Sequence, residues 1–236
     1  AYNTDRGHRS APLWSGLEPL IQGTPMNFAF SEEQVELRKV AADFLTNKSA
    51  EADVRGLMET DEGYDPAVWS QMAEQLGLQG LAIPEEYGGS GYSYVELCVI
   101  FEEMGRRLLC APFFSTVALA ANALLHSGDD DAKARYLPGI ASGETIATVA
   151  FTEENGRWDE SGIEMEAAAS DEGHTLTGTK SYVIDGHIAS LILVAARTPE
   201  GVSLFAVDGD ASGLGRTPLS TMDQTRKQAK LDFDNT

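Results

Sequence analysis

The sequence predicts an α+β chain: an all-α N-terminal domain followed by an antiparallel β-sandwich or barrel. Three observations predict it. Up to about Gly143, apolar residues recur at helical spacing behind recognisable N-caps. From Thr145 onward they fall in short β-rich runs broken by Gly, Asp, Asn and Pro. Of the 236 residues, 42% are hydrophobic and 8% aromatic, enough apolar surface to bury a core.

Residues 1–25 mix Gly, Pro and Ser with scattered apolar residues and have no period. They are expected to be an extension outside the fold, with Met26 as the natural start. The helical domain is then expected over 26–143 and the β domain over 144–236. Ser31 and Gln34 form a capping box that opens the first helix, with Phe30 and Val35 placed for a hydrophobic staple. Val35, Leu37, Val40, Ala41, Phe44 and Leu45 supply its apolar face. Asp65-Pro66 opens a second helix, a cap followed by a first-turn proline, with Gly77 as its stop. Pro84 to Gly91 is a turn-rich loop. Ser93 and Glu96 cap a third helix that runs towards Leu109 and is closed by Pro112. A fourth spans about Thr116 to His126, almost wholly apolar and therefore central. A fifth begins near Asp131 and ends around Ser142-Gly143. Strands are expected at 145–151, 163–169, 174–179, 181–184, 188–196, 202–207 and 228–233.

The formal net charge is -20, with 17 Lys and Arg against 37 Asp and Glu. The excess is spread: 19 acids to 8 bases in 26–143, and 16 to 7 in 144–236. It therefore reads as a solvated surface rather than an acidic tail, and it disfavours nucleic acid or an anionic membrane as partner. No apolar run has the length of a membrane span, and residues 1–25 lack a basic start followed by an apolar stretch, so a cytoplasmic protein is expected. Cys98 and Cys110 lie in a helical region without metal-ligand spacing and read as two small buried hydrophobes. His8, His126, His174 and His187 are far apart, and no metal site is expected. No Walker loop, nucleophile elbow or dinucleotide fingerprint is present. Glu85, Glu86 and Glu153 read as exposed turn carboxylates.

Taken in order, five segments resemble the acyl-CoA dehydrogenase family. Phe28-Ala29-Phe30-Ser31-Glu32-Glu33-Gln34, with Leu37-Arg38, is similar to its opening. Pro84-Glu85-Glu86-Tyr87-Gly88-Gly89-Ser90-Gly91 resembles a loop between early helices and is the most specific match. Arg135 to Glu144 is similar to the exit from the helical domain, Phe151-Thr152-Glu153 to the first flavin contact of the β domain, and Leu176 to Gly186 to a second flavin-contacting segment. The resemblance covers roughly 26–236.

It implies FAD as cofactor, lying between the β domain and a C-terminal helical bundle and partly across a subunit interface. The implied reaction is oxidation of the Cα–Cβ bond of an acyl-CoA to a trans-2-enoyl-CoA, within fatty-acid β-oxidation, with electrons passed to an electron-transferring flavoprotein. A buried glutamate would take the α-proton while the flavin accepts the β-hydride. Phe151, Thr152, Tyr182 and Ile184 occupy the implied flavin-facing positions, and Lys180 is expected to serve the strand. Tyr182 stands where the family commonly has tryptophan, and Ile184 where a Thr or Ser hydroxyl is usual. Glu154 to Asp159 replaces a Pro and a Gly-Ser-Asp turn. The bundle carrying the glutamate has no counterpart in these residues, so no catalytic residue is named. The expected protein is a fragment of such a dehydrogenase, inactive alone and belonging to a homo- or hetero-oligomer. The alternatives are a non-catalytic partner subunit of a heteromeric dehydrogenase, or an oxidase or flavin monooxygenase of the same superfamily.

Overall fold

The structure is a computed structural model and describes residues 29–170 and 173–236. The expected extension 1–25 and the start at Met26 lie outside the described residues. Among the described residues, six α-helices come first: α1 (Glu32–Lys48), α2 (Glu51–Met58), α3 (Pro66–Glu74), α4 (Tyr94–Arg106), α5 (Ala121–Leu125) and α6 (Asp130–Ala141). Seven strands follow: β1 (Ala147–Ala150), β2 (Glu166–Ser170), β3 (Gly173–Ile184), β4 (Leu191–Thr198), β5 (Gly201–Asp208), β6 (Leu214–Leu219) and β7 (Gln228–Phe233).

Both capping boxes form, and they bond to each other. Ser31 accepts from Gln34 N–H while the Gln34 side chain accepts from Ser31 N–H. The Gln34 amide then donates to Glu96 at 2.7 Å, and Glu96 also accepts from Ser93 N–H at 2.9 Å. The hydrogen bonds from Gln34 and Ser93 hold the Glu96 carboxyl down at about 2. Arg38 completes the α1–α4 contact by pairing with Glu102 at 2.8 Å. Ser93→Ala removes an N-cap and is expected to cost about 1 kcal/mol, a drop of roughly 2–4 °C in the thermal midpoint. An unchanged midpoint would count against the cap.

Several elements depart from expectation. Val35 and Val40 are exposed, and so is Phe30; the Arg38 guanidinium lies 5.0 Å from the Phe30 ring instead. The buried face of α1 is Ala41 and Leu45. Helix α2 has a weak sequence signal, because its N-cap is Ala50, and Asp53 closes the turn by accepting Ala50 N–H at 3.1 Å. Helix α4 stops at Arg106, ahead of Leu108, whose φ is 52°. Cys98 is exposed and only Cys110 is buried; both thiols are free. The fourth helix begins as a π-helical segment, Phe114–Ala120, before continuing as α5. Its wide turns bring the consecutive residues Ser115 and Thr116 to partners in the β region: Ser115 to Asp185, and Thr116 to both Ala147 N–H and C=O at 3.1 Å.

The sheet has the order β1-β4-β2-β3-β7-β6, with β5 on the other side of β4. It is a curled, mixed half-barrel. Most pairings are antiparallel, but β1 runs parallel to β4 over Ala147–Ala150, and β2 meets β4 in parallel at Glu166 and Arg197. Leu191 to Ala196 are all buried, as a strand covered on both faces requires. The runs expected at 174–179 and 181–184 are one bent strand, β3. Strand β6 was not expected; it contains Pro218 and lies at the sheet edge, where a missing N–H is tolerated. One apolar core crosses from helices to sheet, joining Leu45, Met72, Ile100 and Phe113 to Ile192, Ala229 and Leu231. No helix among the described residues is long and apolar enough to cross a membrane.

Candidate functional site

The site is built where β1, the π-helical segment and β3 meet. Strand β3 pairs with β7 up to Lys180–Leu231 and resumes at Val183–Ala229, so Ser181 and Tyr182 form a bulge. Tyr182 has φ 58°, the left-handed region that an aromatic residue enters only at a cost. The bulge turns Ser181 N–H away from β7 to donate to Thr152 C=O at 2.8 Å, and it swings the Tyr182 ring outward, 54% exposed. Ile184 follows, its C=O accepting from the Thr148 hydroxyl at 2.6 Å.

The result is a cavity of about 490 Å³. Phe151, Thr152, Tyr182 and Ile184, the four positions marked from sequence, all line it. Phe114 and Leu119 of the π-helical segment close one side. Trp158 stands at the mouth, 80% exposed, its ring edge-on to Phe151 at 5.5 Å. A second cavity of about 680 Å³ adjoins the first, sharing Phe114, Tyr182, Ile184 and Gln228, and runs to Thr221, Met222 and Arg226. The Phe114 and Trp158 positions were not read from sequence. Trp158 falls in the turn that departs from the family pattern, and that departure was the available signal.

Glu153 corrects the reading of an exposed turn carboxylate. It is buried, and its Oε1 lies 2.6 Å from Nζ of Lys180, which is fully buried. The same carboxylate accepts N–H from Glu164 and Met165 at 3.0–3.1 Å. Burial pushes the Glu153 carboxyl up, but the bonds from Lys180, Met165 and Glu164 overcome it and leave the group below its usual value. Burial also pulls the Lys180 ammonium down, against the pull of Glu153. Glu85 and Glu86 are exposed.

Behind Ile184 sits a second buried acid. Asp185 has φ 54° and donates its N–H to Lys227 C=O at 2.9 Å. Its Oδ2 is 2.6 Å from the Ser115 hydroxyl, which is also 3.1 Å from Pro112 C=O. One hydroxyl proton cannot serve both acceptors. Ionised, Asp185 accepts from Ser115; protonated, it can donate to Ser115 and leave the Ser115 proton for Pro112. Burial accordingly pushes this carboxyl up to about 6, against the Ser115 bond and the charge of Arg226. The turn after Asp185 is braced by Arg216, which donates to Gly186, His187, Ala189 and Gly209 carbonyls at 2.6–3.1 Å. His187 meets Glu62 C=O at 3.1 Å, so it serves packing between the helices and the sheet. Among the described residues, no group of three or more His, Cys, Asp or Glu could hold a metal ion.

The cavity is apolar on both walls and aromatic at its mouth. It suits the body of a planar aromatic ligand, and its residues fit the isoalloxazine ring of FAD in that respect. The Ile184 side chain carries no donor for a hydrogen bond to such a ring. The adjacent turn uses several of its own donors internally: Gly156 N–H goes to Glu153 C=O, and Arg157 N–H to the Asn155 side chain.

Comparison with known proteins agrees with this architecture. Acyl-CoA dehydrogenase IpdE2 of Mycolicibacterium smegmatis is 31% identical over 201 residues, covering 85% of this chain and 52% of that protein. The ChsE4-ChsE5 complex from Mycobacterium tuberculosis superposes with a TM-score of 0.79 at 26% identity, over 89% of this chain and 56% of that one. An acyl-CoA dehydrogenase from Bacillus anthracis, solved with FAD, superposes at 0.80 and 25% identity, over 88% of this chain and 36% of that one. The chain spans about half the length of the curated relatives it matches. Residues 31–144 match the family description "Acyl-CoA dehydrogenase, N-terminal domain" and residues 148–236 match "Acyl-CoA dehydrogenase, middle domain". The chain therefore belongs to the acyl-CoA dehydrogenase family.

Proposed function

We propose that this chain supplies the helical and β parts of an FAD-dependent acyl-CoA dehydrogenase that oxidises the Cα–Cβ bond of an acyl-CoA to a trans-2-enoyl-CoA. The observation that carries the reading is the convergence of Phe151, Thr152, Tyr182 and Ile184 on one aromatic cavity. The FAD seen in the Bacillus anthracis relative supports the choice of cofactor. When bound, FAD supplies the hydride acceptance that no side chain offers. The chain's own part is to grip and orient the ring. Phe151 and Ile184 would give it apolar walls, Tyr182 and Trp158 would flank it, and Phe114 with Leu119 would help to exclude water. Among the described residues, none of those lining this cavity is a carboxylate, and Glu153 beside it is committed to Lys180 and two backbone N–H groups. The chain by itself is then expected to be inactive. An electron-transferring flavoprotein is the expected electron acceptor, and a cytoplasmic oligomer the expected setting.

A second reading is a non-catalytic partner subunit of a heteromeric dehydrogenase. Ile184, which cannot donate a hydrogen bond, favours it, and the ChsE4-ChsE5 complex gives it a structural parallel.

Titrating riboflavin and FAD with the chain, read by flavin fluorescence, tests the leading proposal. Saturable quenching is expected, weakened about tenfold by Tyr182→Ala, which removes a ring contact, and strengthened about fivefold by Ile184→Thr, which adds one hydrogen bond. Absence of saturable binding would sink the proposal. Stable co-purification with a complete homologue, without flavin on this chain, would carry the partner-subunit reading.

A further inference from the structure

Lys180 presents a puzzle. Its ammonium is fully buried and, among the described residues, has one partner, Glu153 at 2.6 Å, although it carries three donor hydrogens. A buried pair gains little over well-packed apolar residues of similar size, because desolvation offsets the attraction. Stability alone is a weak reason for it to exist. Its position is more informative. Glu153 directly follows Thr152, and Lys180 lies two residues before Tyr182, so the pair joins the two segments that wall the cavity. Glu153 also gathers the far end of its own loop through Glu164 and Met165 N–H. Arg197 holds that loop from the other side, donating to Ile163 C=O at 2.5 Å and Glu160 C=O at 2.6 Å. The bulge bond from Ser181 N–H to Thr152 C=O lies immediately beside the ion pair.

We propose that Glu153 and Lys180 are positioning residues: their buried ion pair sets the spacing between the wall bearing Phe151 and Thr152 and the wall bearing Tyr182. Neither side chain lines the cavity. The pair fixes the bulge against the end of β1, and the bulge aims the ring. The expected effect on ring affinity rests on the flavin reading above; the effect on the walls does not.

The test is the double variant Glu153→Gln with Lys180→Met in the full chain. It removes both charges but keeps an oxygen to accept Glu164 and Met165 N–H. The thermal midpoint is expected to stay within a few degrees, since a neutral packed pair replaces a buried ionic one. Riboflavin affinity is expected to fall about tenfold. Backbone hydrogen exchange, read by mass spectrometry, is expected to accelerate in 151–153 and 180–182 and nowhere else. A merely stabilising pair would instead lower protection throughout and leave the affinity of the folded molecules unchanged; either result overturns the proposal. If wild-type protein binds no riboflavin, the function proposed above fails, and the exchange pattern still decides this one. If the double variant does not fold, Glu153→Gln alone decides. Wild-type exchange and wild-type affinity in that variant would overturn the positioning role.

Discussion

Asp185→Asn is expected to stabilise the protein by about 3 kcal/mol at pH 7 and to leave it unchanged near pH 3. Burial raises the carboxyl from its ordinary 3.8 to about 6 in the folded chain. Below the unfolded value both states hold the proton, and the aspartate carries no penalty. As pH rises from about 4 to about 6, the unfolded chain releases its proton while the folded chain must keep it, so stability is lost through this window. Above about 6 the folded group ionises and the penalty stays constant. The raise of roughly two units corresponds to about 3 kcal/mol. Asparagine reproduces the neutral acid, with its amide donating to Ser115 and freeing the Ser115 proton for Pro112. Other carboxyls add their own pH dependence, Glu96 among them, but they do so equally in both proteins. The measurement is therefore the difference between variant and wild type, from urea unfolding at intervals between pH 3 and pH 8. A difference that does not change with pH would refute the protonated Asp185–Ser115–Pro112 chain.

That chain bears on function through its place. Ser115 lies in the π-helical segment beside Phe114, and Asp185 follows Ile184, so the bond ties two walls of the cavity. Glu153–Lys180 ties the third side. Two buried polar links thus hold what apolar packing alone would leave free to slide. Ring affinity in Asp185→Asn should match wild type near pH 5, where both carry a neutral group at 185.

How much of this was legible follows from where the forces lie. Ser31 with Gln34, Asp65 with Ala67 and Val68, and Ser93 with Glu96 bond within three residues of themselves, so the sequence shows them directly. Helix α2 has Ala50 at its N-cap, with no side-chain cap bond, and its local bonds, Asp53 to Ala50 N–H and Glu51 to Arg55, are weak marks in the sequence. Strand β6 contains a proline, which weakens its strand signal, and among the described residues it pairs with β7 alone, at the sheet edge. The parallel β1–β4 pair joins residues more than 40 apart, and short β-rich runs carry no mark of direction. At the site, the resemblance marked positions but not chemistry. Phe151, Thr152, Tyr182 and Ile184 were legible as places along the chain. The burial of Glu153 was not, because its partner lies 27 residues away and turn carboxylates are ordinarily solvated.

The loop Pro84 to Gly91 shows why one local match was so specific, and it carries the second large prediction: Gly89→Ala should cost about 3 kcal/mol or more, while Gly88→Ala costs about 1 kcal/mol. The loop makes a 3-10 turn at Glu85–Tyr87 and then folds back on 80–83. Ser90 N–H reaches Gly80 C=O, Gly91 N–H reaches Ile83 C=O and Tyr92 N–H reaches Leu81 C=O, each at 2.9 Å. This return forces the Gly89 backbone against its neighbour. A methyl at 89 would overlap the Ile83 carbonyl and stand 2.6 Å from the Gly80 carbonyl oxygen, and both obstacles are backbone. They cannot rotate away without breaking the bonds that close the loop. Gly88 differs in kind: its φ is 82°, yet nothing lies within 4 Å of an added methyl, so alanine there meets only the left-handed backbone cost. By thermal unfolding, Gly89→Ala is expected to lower the midpoint by roughly 6–12 °C and Gly88→Ala by roughly 2–4 °C. Equal shifts would mean that both glycines serve backbone angle alone. A larger loss at 88 would mean that the close approach at 89 relaxes at little cost. Because Ile83 belongs to the apolar cluster with Leu137, Ile140, Leu191 and Leu193, the strain at 89 falls on the packing of α6 against β4.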